Sequence, residues 1–181
     1  MDILILSGGG SSDGTTAGLA EMAAAGFRAE GADVGIVDLA ACDIGYCTGC
    51  NECRDTGRCR MRDDMDVLIP RSAACDVLVI ATPVRFNGSS SVTKRFVERF
   101  QPYWFAEHAE HPGTMTAIVC GGSANPNFKN VVSEFKALRS ILGRRWSEEL
   151  RIAATDDNGL EAYRDACTSW ARDTVRRHGG Q

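Results

Sequence analysis

Short apolar runs alternate with amphipathic segments along the chain. Four runs of mostly apolar residues cover residues 3–6, 34–39, 77–80 and 116–120, and a weaker fifth run covers residues 150–154. These runs lack the strict alternation of a strand with one solvated face. They are typical of strands that are covered on both faces of a parallel sheet.

Between the runs, apolar residues recur at the three- and four-residue spacing of amphipathic helices. The Asp63-Asp64 pair is interpreted as the start and cap of the second helix, which Pro70 must kink or shorten. Five alternations of strand and helix predict an α/β fold with a doubly wound parallel sheet and helices on both faces. The helical segments are residues 19–27, 65–74, 92–100, 131–142 and 160–170.

Length and charge narrow the function classes. The chain has 181 residues, of which 44% are hydrophobic, so we expect a single domain over residues 1–181. Its net charge is −4, with 20 basic and 24 acidic residues spread along the length, which favours small-molecule or protein partners over nucleic acid or a membrane. Asp2 stands where a secretory signal would be basic, and the first apolar run is short, so we expect a cytoplasmic protein.

The loop after the first predicted strand has the composition of a phosphate site. Residues 7–16 are mostly glycine and hydroxyl residues and lead directly into a helix. Backbone amides and hydroxyls at a helix N-terminus bind phosphate groups, although such a run can also be a plain surface turn. Thr15 stands where a nucleotide triphosphatase has its lysine, and Asp13 breaks the G-x-G-x-x-G dinucleotide fingerprint, so neither class is favoured.

Two further loops should lie at the same edge of the sheet, because ligands of such sheets bind beyond the carboxyl ends of the strands. Residues 81–91 follow the third strand and residues 120–125 follow the fourth. Both loops are rich in small residues and backbone donors. Three such loops would enclose a flat, polar-edged ligand that carries a phosphate, and flavin mononucleotide (FMN) fits that description.

Four cysteines lie close together between the second strand and the next helix. Cys47, Cys50, Cys53 and Cys59 follow the spacing C-x2-C-x2-C-x5-C, within an expected insertion over residues 42–62. Thiolates are the preferred ligands of iron-sulfur clusters, so this spacing favours one [4Fe-4S] cluster. A structural zinc and free or redox-labile thiols remain alternatives. If a cluster forms, we expect it to exchange electrons with FMN of the same or a neighbouring subunit.

The motifs together resemble a known family. Residues 7–16 resemble the phosphate loop G-S-P-R-x-x-G-N-T of the flavodoxin-like NAD(P)H-dependent FMN reductases, and residues 82–99 resemble their S-P-V-Y-x-x-x-x-S-x-x-x-K-x-x-x-D-R segment. The cysteine run followed by Asp63, Asp64 and Met65 resembles the iron-sulfur flavoprotein branch. The resemblance extends to about Leu142 and implies a five-stranded flavodoxin-like sheet in the order 2-1-3-4-5.

The resemblance also implies site residues. FMN phosphate contacts are expected from Gly9, Ser11, Thr15 and Thr16. Contacts to the flavin ring or ribityl chain are expected from Thr82, Pro83, Val84, Arg85, Phe86, Asn87 and Gly88, with Gly121 and Gly122 on the other side. No side chain is expected to be catalytic, because hydride chemistry belongs to the flavin.

Three departures from the family pattern bear on FMN binding. Ser11 stands in the place of the family's phosphate-binding arginine, Gly9 replaces a serine, and Arg85 replaces a common aromatic residue. Loss of a charge-assisted contact of about 1.5–3 kcal/mol would weaken FMN binding by roughly ten- to a hundredfold unless another cation replaces it. Arg85 could reach the flavin or the substrate, or it could be a solvated loop residue.

The implied function is an FMN-dependent oxidoreductase. It would move electrons between NAD(P)H, or a ferredoxin-type donor, and a quinone or other small acceptor. The alternatives are an electron-transfer iron-sulfur flavoprotein without its own small-molecule substrate and a cysteine-based redox sensor. A homodimer or homotetramer is expected from the resemblance, and residues 102–105 with His108 and His111 either cover a flavin across that interface or pack within the subunit.

Overall fold

A parallel sheet forms the centre of the molecule. The computed structural model describes residues 1–105 and 113–179. The sheet has the order β2-β1-β3-β4-β5, and β6 also pairs with β4. Within the described residues, every pair of neighbouring strands in the sheet runs parallel, in agreement with the uninterrupted apolar runs of the sequence. The strands are β1 (Asp2–Ser7), β2 (Asp33–Asp38), β3 (Val77–Pro83), β4 (Thr114–Cys120), β5 (Arg145–Trp146) and β6 (Leu150–Ile152).

The order 2-1-3-4-5 is confirmed, with one refinement at the edge. The predicted fifth strand is divided into β5, which pairs with the start of β4, and β6, which pairs with its end. Between them Thr116 donates its hydroxyl hydrogen to the carbonyl of Glu148 at 3.0 Å. The edge strand is interrupted there because a side chain, rather than the backbone of β4, satisfies that carbonyl.

Helices cover both faces of the sheet, as predicted. One face carries α1 and α7, where Phe27 and Trp170 meet edge to face with ring centroids 5.5 Å apart. The other face carries α3, α4 and α6, whose Met65, Phe96 and Phe135 are buried against the sheet. The helices are α1 (Thr15–Ala29), α2 (Cys53–Thr56), α3 (Met65–Ala74), α4 (Ser91–Glu98), α5 (Gln101–Phe105), α6 (Lys129–Ile141) and α7 (Arg164–Gly179), the last preceded by a 3-10 turn at Leu160–Tyr163.

Helix α3 has its expected bounds, but the side chain of Asp64 does not act as the expected cap. Pro70 lies inside the helix, which continues to Ala74 and is not shortened. The side chain of Asp64 makes no capping hydrogen bond to α3 and instead accepts one from the backbone N–H of Asp43 at 2.7 Å. Asp64 therefore links the two ends of the cysteine segment, the insertion over residues 42–62.

A buried arginine holds the C-terminal end of α3. Arg144 donates to the carbonyls of Ser72, Ala73 and Cys75 at 2.7–2.9 Å, although it lies 72 residues from Ser72. Carbonyls at a helix C-terminus lack partners within the helix, and a guanidinium satisfies several at once.

Among residues 1–105 and 113–179, no helix is long and apolar enough to cross a membrane.

Candidate functional site

A polar cleft lies at the carboxyl ends of the strands. Its volume is about 670 Å³. Loops that follow β1, β3 and β4 form it, together with a fourth loop after β6, as expected for a sheet of this order. It is lined by Gly9, Gly10, Ser11, Gly14, Thr15, Thr16, Pro83, Val84, Arg85, Phe86, Asn87, Cys120, Gly121, Gly122, Ser123, Asn125, Pro126, Asn127, Thr155 and Asp156.

All but two of the flavin residues expected from the sequence line this cleft. Thr82 lies beneath it, where its hydroxyl oxygen accepts hydrogen bonds from the backbone of Ser90 at 3.2 Å and from Thr93 Oγ1 at 2.9 Å. Gly88 exchanges backbone hydrogen bonds with Arg85 and is not among the lining residues. Thr82 and Gly88 shape the loop that bears the cleft residues.

The first loop presents free backbone donors to the cleft. Gly14 precedes α1, and no side chain caps the helix there. The first N–H groups of a 15-residue helix are unpaired within the helix and carry its positive dipole end, so this terminus can hold an anion. The hydroxyl of Ser11 is hydrogen-bonded to the exposed carboxylate of Asp13, and that bond lowers the pKa of Asp13.

Close packing fixes the first loop against α4. A Cβ on Gly8 would lie 1.8 Å from Thr93 Oγ1 and 3.3 Å from the carbonyl oxygen of Ala81. The hydroxyl of Ser90 donates to the carbonyl of Gly8 and accepts from the backbone N–H of Thr93 at 3.1 Å, which caps α4. Because Gly8 has no side chain, the loop after β1 can lie in contact with the loop after β3 and the start of α4.

The loop after β3 ends in a strained turn at the rim of the cleft. Arg85 and Gly88 exchange backbone hydrogen bonds of 2.8 and 2.9 Å, and the central residues Phe86 and Asn87 both have positive φ angles, of 47° and 62°. That combination is typical of a type I′ turn, in which asparagine is favoured, whereas phenylalanine costs about 1–2 kcal/mol. The Phe86 side chain is fully exposed.

Arg85 gives the cleft its positive charge. It is the one Lys or Arg among the described lining residues, and Asp156 is the one carboxylate. Burial raises the pKa of the nearby Cys120 thiol, although the Thr16 hydrogen bond and the charge of Arg85 act in the opposite direction. Cys120 Sγ lies 3.4 Å from Thr16 Oγ1 and forms part of the lining.

The loop after β4 joins a fourth loop that the sequence interpretation missed. The backbone N–H groups of Thr155 and Asp156 donate to the carbonyls of Gly121 and Gly122, each at 3.2 Å. A Cβ on Gly121 would lie 2.5 Å from Pro126 Cβ, so only glycine fits there. The polar residues 155–158, directly after a predicted strand, carried the signal that would have placed this loop at the cleft.

The four predicted ligand cysteines border a separate small cavity. Its lining includes the side chains of Cys47, Cys50, Cys53 and Cys59, with Arg99 and Arg60 beside them. Burial raises the pKa of Cys53, and thiolate charge on the other three cysteines raises it further, so all four lie within electrostatic range. The fold therefore brings together the thiols that the spacing predicted would share one centre.

A buried ion pair stands beside this cysteine cavity. Arg99 Nη2 donates to Asp63 Oδ1 at 3.1 Å, and Arg99 Nη1 donates to the carbonyl of Gly45 at 3.0 Å. Burial by itself lowers the pKa of Arg99, but bonds to Asp63 and the nearby Cys59 outweigh it and raise the pKa. Cations next to thiolates stabilise their ionised, metal-binding form.

The donor arrangement does not fit one small ion. Within residues 1–105 and 113–179, no three His, Cys, Asp or Glu side chains are placed to hold a single metal ion. Zinc requires sulfurs within about 2.3 Å of one point, whereas the ligands of a multinuclear cluster bind different iron atoms and stand farther apart. The described residues therefore hold no preformed zinc arrangement of sulfurs around one point.

The cleft and the cysteine cavity lie at opposite ends of α4. Ser90, at the start of this helix, supports the first loop of the cleft, whereas Glu98 and Arg99, at its end, border the cysteines. Eight helical residues span about 12 Å, and the two cavities share no lining residue. The four cysteines therefore form a site of their own, about one short helix away from the cleft.

Only part of the aromatic segment that was expected to cover a flavin lies within the described residues. Residues 102–105 fall within α5, where Phe105 lies under the guanidinium of Arg54 at 4.7 Å and Trp104 is 67% exposed. His108 and His111 lie outside the described residues. Covering of a flavin by this segment stays a prediction.

Comparison with known sequences gives a consistent family. The family model described as "NADPH-dependent FMN reductase" matches residues 1–145. The chain is 29% identical over 102 residues to an iron-sulfur flavoprotein of Methanocaldococcus jannaschii, covering 56% of this chain and 53% of that protein. It is 35% identical over 95 residues to an iron-sulfur flavoprotein of Archaeoglobus fulgidus, covering 52% and 41%. The matches thus span about half the length of these relatives.

Comparison with solved structures supports the fold. The NAD(P)H:quinone oxidoreductase of Methanothermobacter marburgensis superimposes with a TM-score of 0.72 at 13% identity, covering 96% of this chain and 98% of that chain. At such identity the likeness shows a shared flavodoxin-like fold.

Proposed function

The chain belongs to the NADPH-dependent FMN reductase family, and from that premise we propose that it binds FMN in the strand-end cleft and acts as an oxidoreductase. Electrons enter from NAD(P)H or a ferredoxin-type donor and leave to a quinone or another small acceptor. The observation that carries the proposal is that the three loops expected to hold a flavin border one polar cleft. Its volume of about 670 Å³ lies in the range of cofactor pockets.

Different residues of the cleft hold different parts of the cofactor. The uncapped start of α1, with Gly9, Thr15 and Thr16, takes the phosphate. The turn at residues 85–88 and the backbone at Gly121 and Gly122 border the ring and its side chain. FMN supplies the hydride and electron chemistry when it is bound, and the chain's residues orient it and its substrate.

We propose a [4Fe-4S] cluster on Cys47, Cys50, Cys53 and Cys59. Support comes from the common cavity of the four thiols and from the buried Arg99 next to Cys59. Two relatives that bear the name iron-sulfur flavoprotein add to it. Arg99 and Arg60 offset thiolate charge and hold the ligand segment in place.

A homodimer or homotetramer is proposed as the working form. Three large side chains, Tyr46, Phe86 and Trp104, are at least 67% exposed, at the cysteine segment, the cleft rim and α5. Aromatic residues are enriched in the buried centres of interfaces. Light scattering at several protein concentrations would measure the assembly directly, and a monomer throughout would contradict this part of the proposal.

The deciding experiment is anaerobic purification followed by a visible spectrum and by iron, sulfide and flavin quantitation. Flavin near one per chain with four iron and four sulfide is the expected result. Steady-state turnover with NAD(P)H and a quinone then separates an enzyme from a pure electron carrier, which would be reduced by a protein donor but show little turnover. A colourless protein that contains neither iron nor flavin after FMN addition would overturn the proposal.

A further inference from the structure

A second large cavity lies beside the cysteine segment. Its volume is about 650 Å³, close to that of the flavin cleft, and it shares no lining residue with the cleft. The proposed exchange of electrons between FMN and a cluster does not use it. Its lining residues come from the cysteine segment, from α3 and from the end of α4 with α5.

One wall of this cavity is cationic. Arg58, Arg62 and Arg99 line it against a single carboxylate, Asp66. Arg62 is held in place, because its Nη1 donates to the carbonyl of Cys59 and to Asp66, both at 3.2 Å. Arg58 is exposed, and its side chain has no hydrogen bond or ion pair to any residue in the described part of the chain. The wall therefore offers a free guanidinium to an anion.

Apolar residues and an aromatic ring also line this cavity. They are Met65, Ile69, Pro102 and Tyr103. The Tyr103 ring packs edge to face on Phe100 at 5.7 Å between centroids, which fixes its orientation. Apolar and aromatic side chains next to guanidinium groups suit a planar ring with an anionic substituent, since the cavity can desolvate the ring and pair its charge.

The second cavity adjoins the four-cysteine cavity. Cys59, Arg99 and Pro102 line both this cavity and the four-cysteine cavity. We propose that the second cavity binds a small planar aromatic anion, a ring that carries a carboxylate, sulfonate or phosphate, with its charge at Arg58 and Arg62 and its ring against Ile69 and Tyr103. Such a ligand lies next to Cys59, which lines both cavities.

Calorimetric titration of the FMN-saturated protein with 2-naphthoate tests this site. Saturable binding of one ligand per chain is expected, and the uncharged methyl ester of the same ring should bind at least about tenfold more weakly. The readout does not depend on turnover or on an assembled cluster, and the charge variants below distinguish this site from stacking of the probe on bound FMN. Absence of saturable binding, or binding that FMN abolishes, would overturn the proposal.

Charge variants locate the site. Arg58→Gln should weaken 2-naphthoate about tenfold, and Arg58→Gln with Arg62→Gln should weaken it further. Arg176→Gln, which removes an exposed arginine of α7, is the matched control and should bind as the wild type does. Arg58 makes no side-chain contact that folding needs, so its single variant keeps the test valid if the double variant is unstable. Equal affinity in the Arg58 and Arg176 variants would refute the proposed site.

Discussion

Arg99 and Asp63 form a buried ion pair that fastens the cysteine segment to the end of α4. Their side chains are 2% and 7% exposed. Asp63 also accepts hydrogen bonds from the backbone N–H groups of Gly45 at 3.0 Å and Met65 at 3.1 Å, so one carboxylate joins the residues before and after the cysteines. The cysteine segment is therefore held at both ends.

Asp63→Asn should lower the free energy of unfolding by about 3 kcal/mol, because it leaves the charge of Arg99 buried without its partner. Urea unfolding at pH 7 measures the change. Asp66→Asn is the matched control: it removes an exposed pair with Arg62 and should cost less than about 1 kcal/mol. Equal costs for the two variants would mean that burial of the Arg99 pair adds nothing.

The Asp63–Arg99 ion pair also predicts that the folded protein loses stability at low pH. Burial would raise the pKa of Asp63, but hydrogen bonds from Arg99, Gly45 and Met65 outweigh burial and hold the pKa below its usual value of 3.8. The stabilisation is therefore complete above the unfolded pKa and is lost as pH falls through the folded pKa. Urea midpoints measured from pH 6 to pH 3 should fall more steeply for the wild type than for Asp63→Asn. Parallel curves would contradict this.

Gly8→Ala should weaken FMN binding at least about tenfold, because its Cβ would collide with Thr93 Oγ1 and force the first loop away from α4. Flavin fluorescence titration provides the measurement. Gly159→Ala is the matched control, since a Cβ there meets nothing within 4 Å, no positive φ opposes it, and Gly159 does not line the cleft. Equal loss of affinity in both variants would show that the close packing at Gly8 is not the cause.

Ser11→Arg should tighten FMN binding by about ten- to a hundredfold. It restores the arginine of the family's phosphate loop, and a charge-assisted hydrogen bond contributes about 1.5–3 kcal/mol. Ser12→Arg adds the same charge at a neighbouring residue that does not line the cleft, and should have a smaller effect. An equal gain in the two variants would indicate long-range attraction rather than a phosphate contact.

Cys59→Ser should remove most of the iron and sulfide of the anaerobically purified protein and leave its flavin content unchanged. Serine is a poor replacement, since its hydroxyl is not ionised at neutral pH as a bound thiol is. Cys42→Ser is the matched control, because Cys42 lies in the same insertion but does not line the cysteine cavity. Full iron content in the Cys59 variant would exclude that thiol as a required ligand.

Much of the architecture follows from short-range sequence pattern. Apolar runs and helical spacing reflect residues a few positions apart, so they predicted the parallel sheet and both helical layers. The rule that strand ends meet at one edge then placed Gly9, Arg85 and Gly121 in one cleft before any contact was known. The spacing of the four cysteines likewise predicted that they share one location.

Tertiary structure decided what depends on residues far apart in the chain. Asp63 resembled a helix cap and does accept the backbone N–H of Met65 at the start of α3. Its ion-pair partner Arg99, however, lies 36 residues away, and the charge pattern gave no sign of their pairing. Arg144 lies three residues after the end of α6 in the sequence, yet it holds the end of α3. Asp156 lines the cleft because it follows the edge strand β6, which pairs with the end of β4. Sequence alone determined the sheet, the three loops and the clustered thiols, because those are local. Packing alone decided the buried partners and set the two sites at opposite ends of α4, because burial and distance arise only when the elements meet.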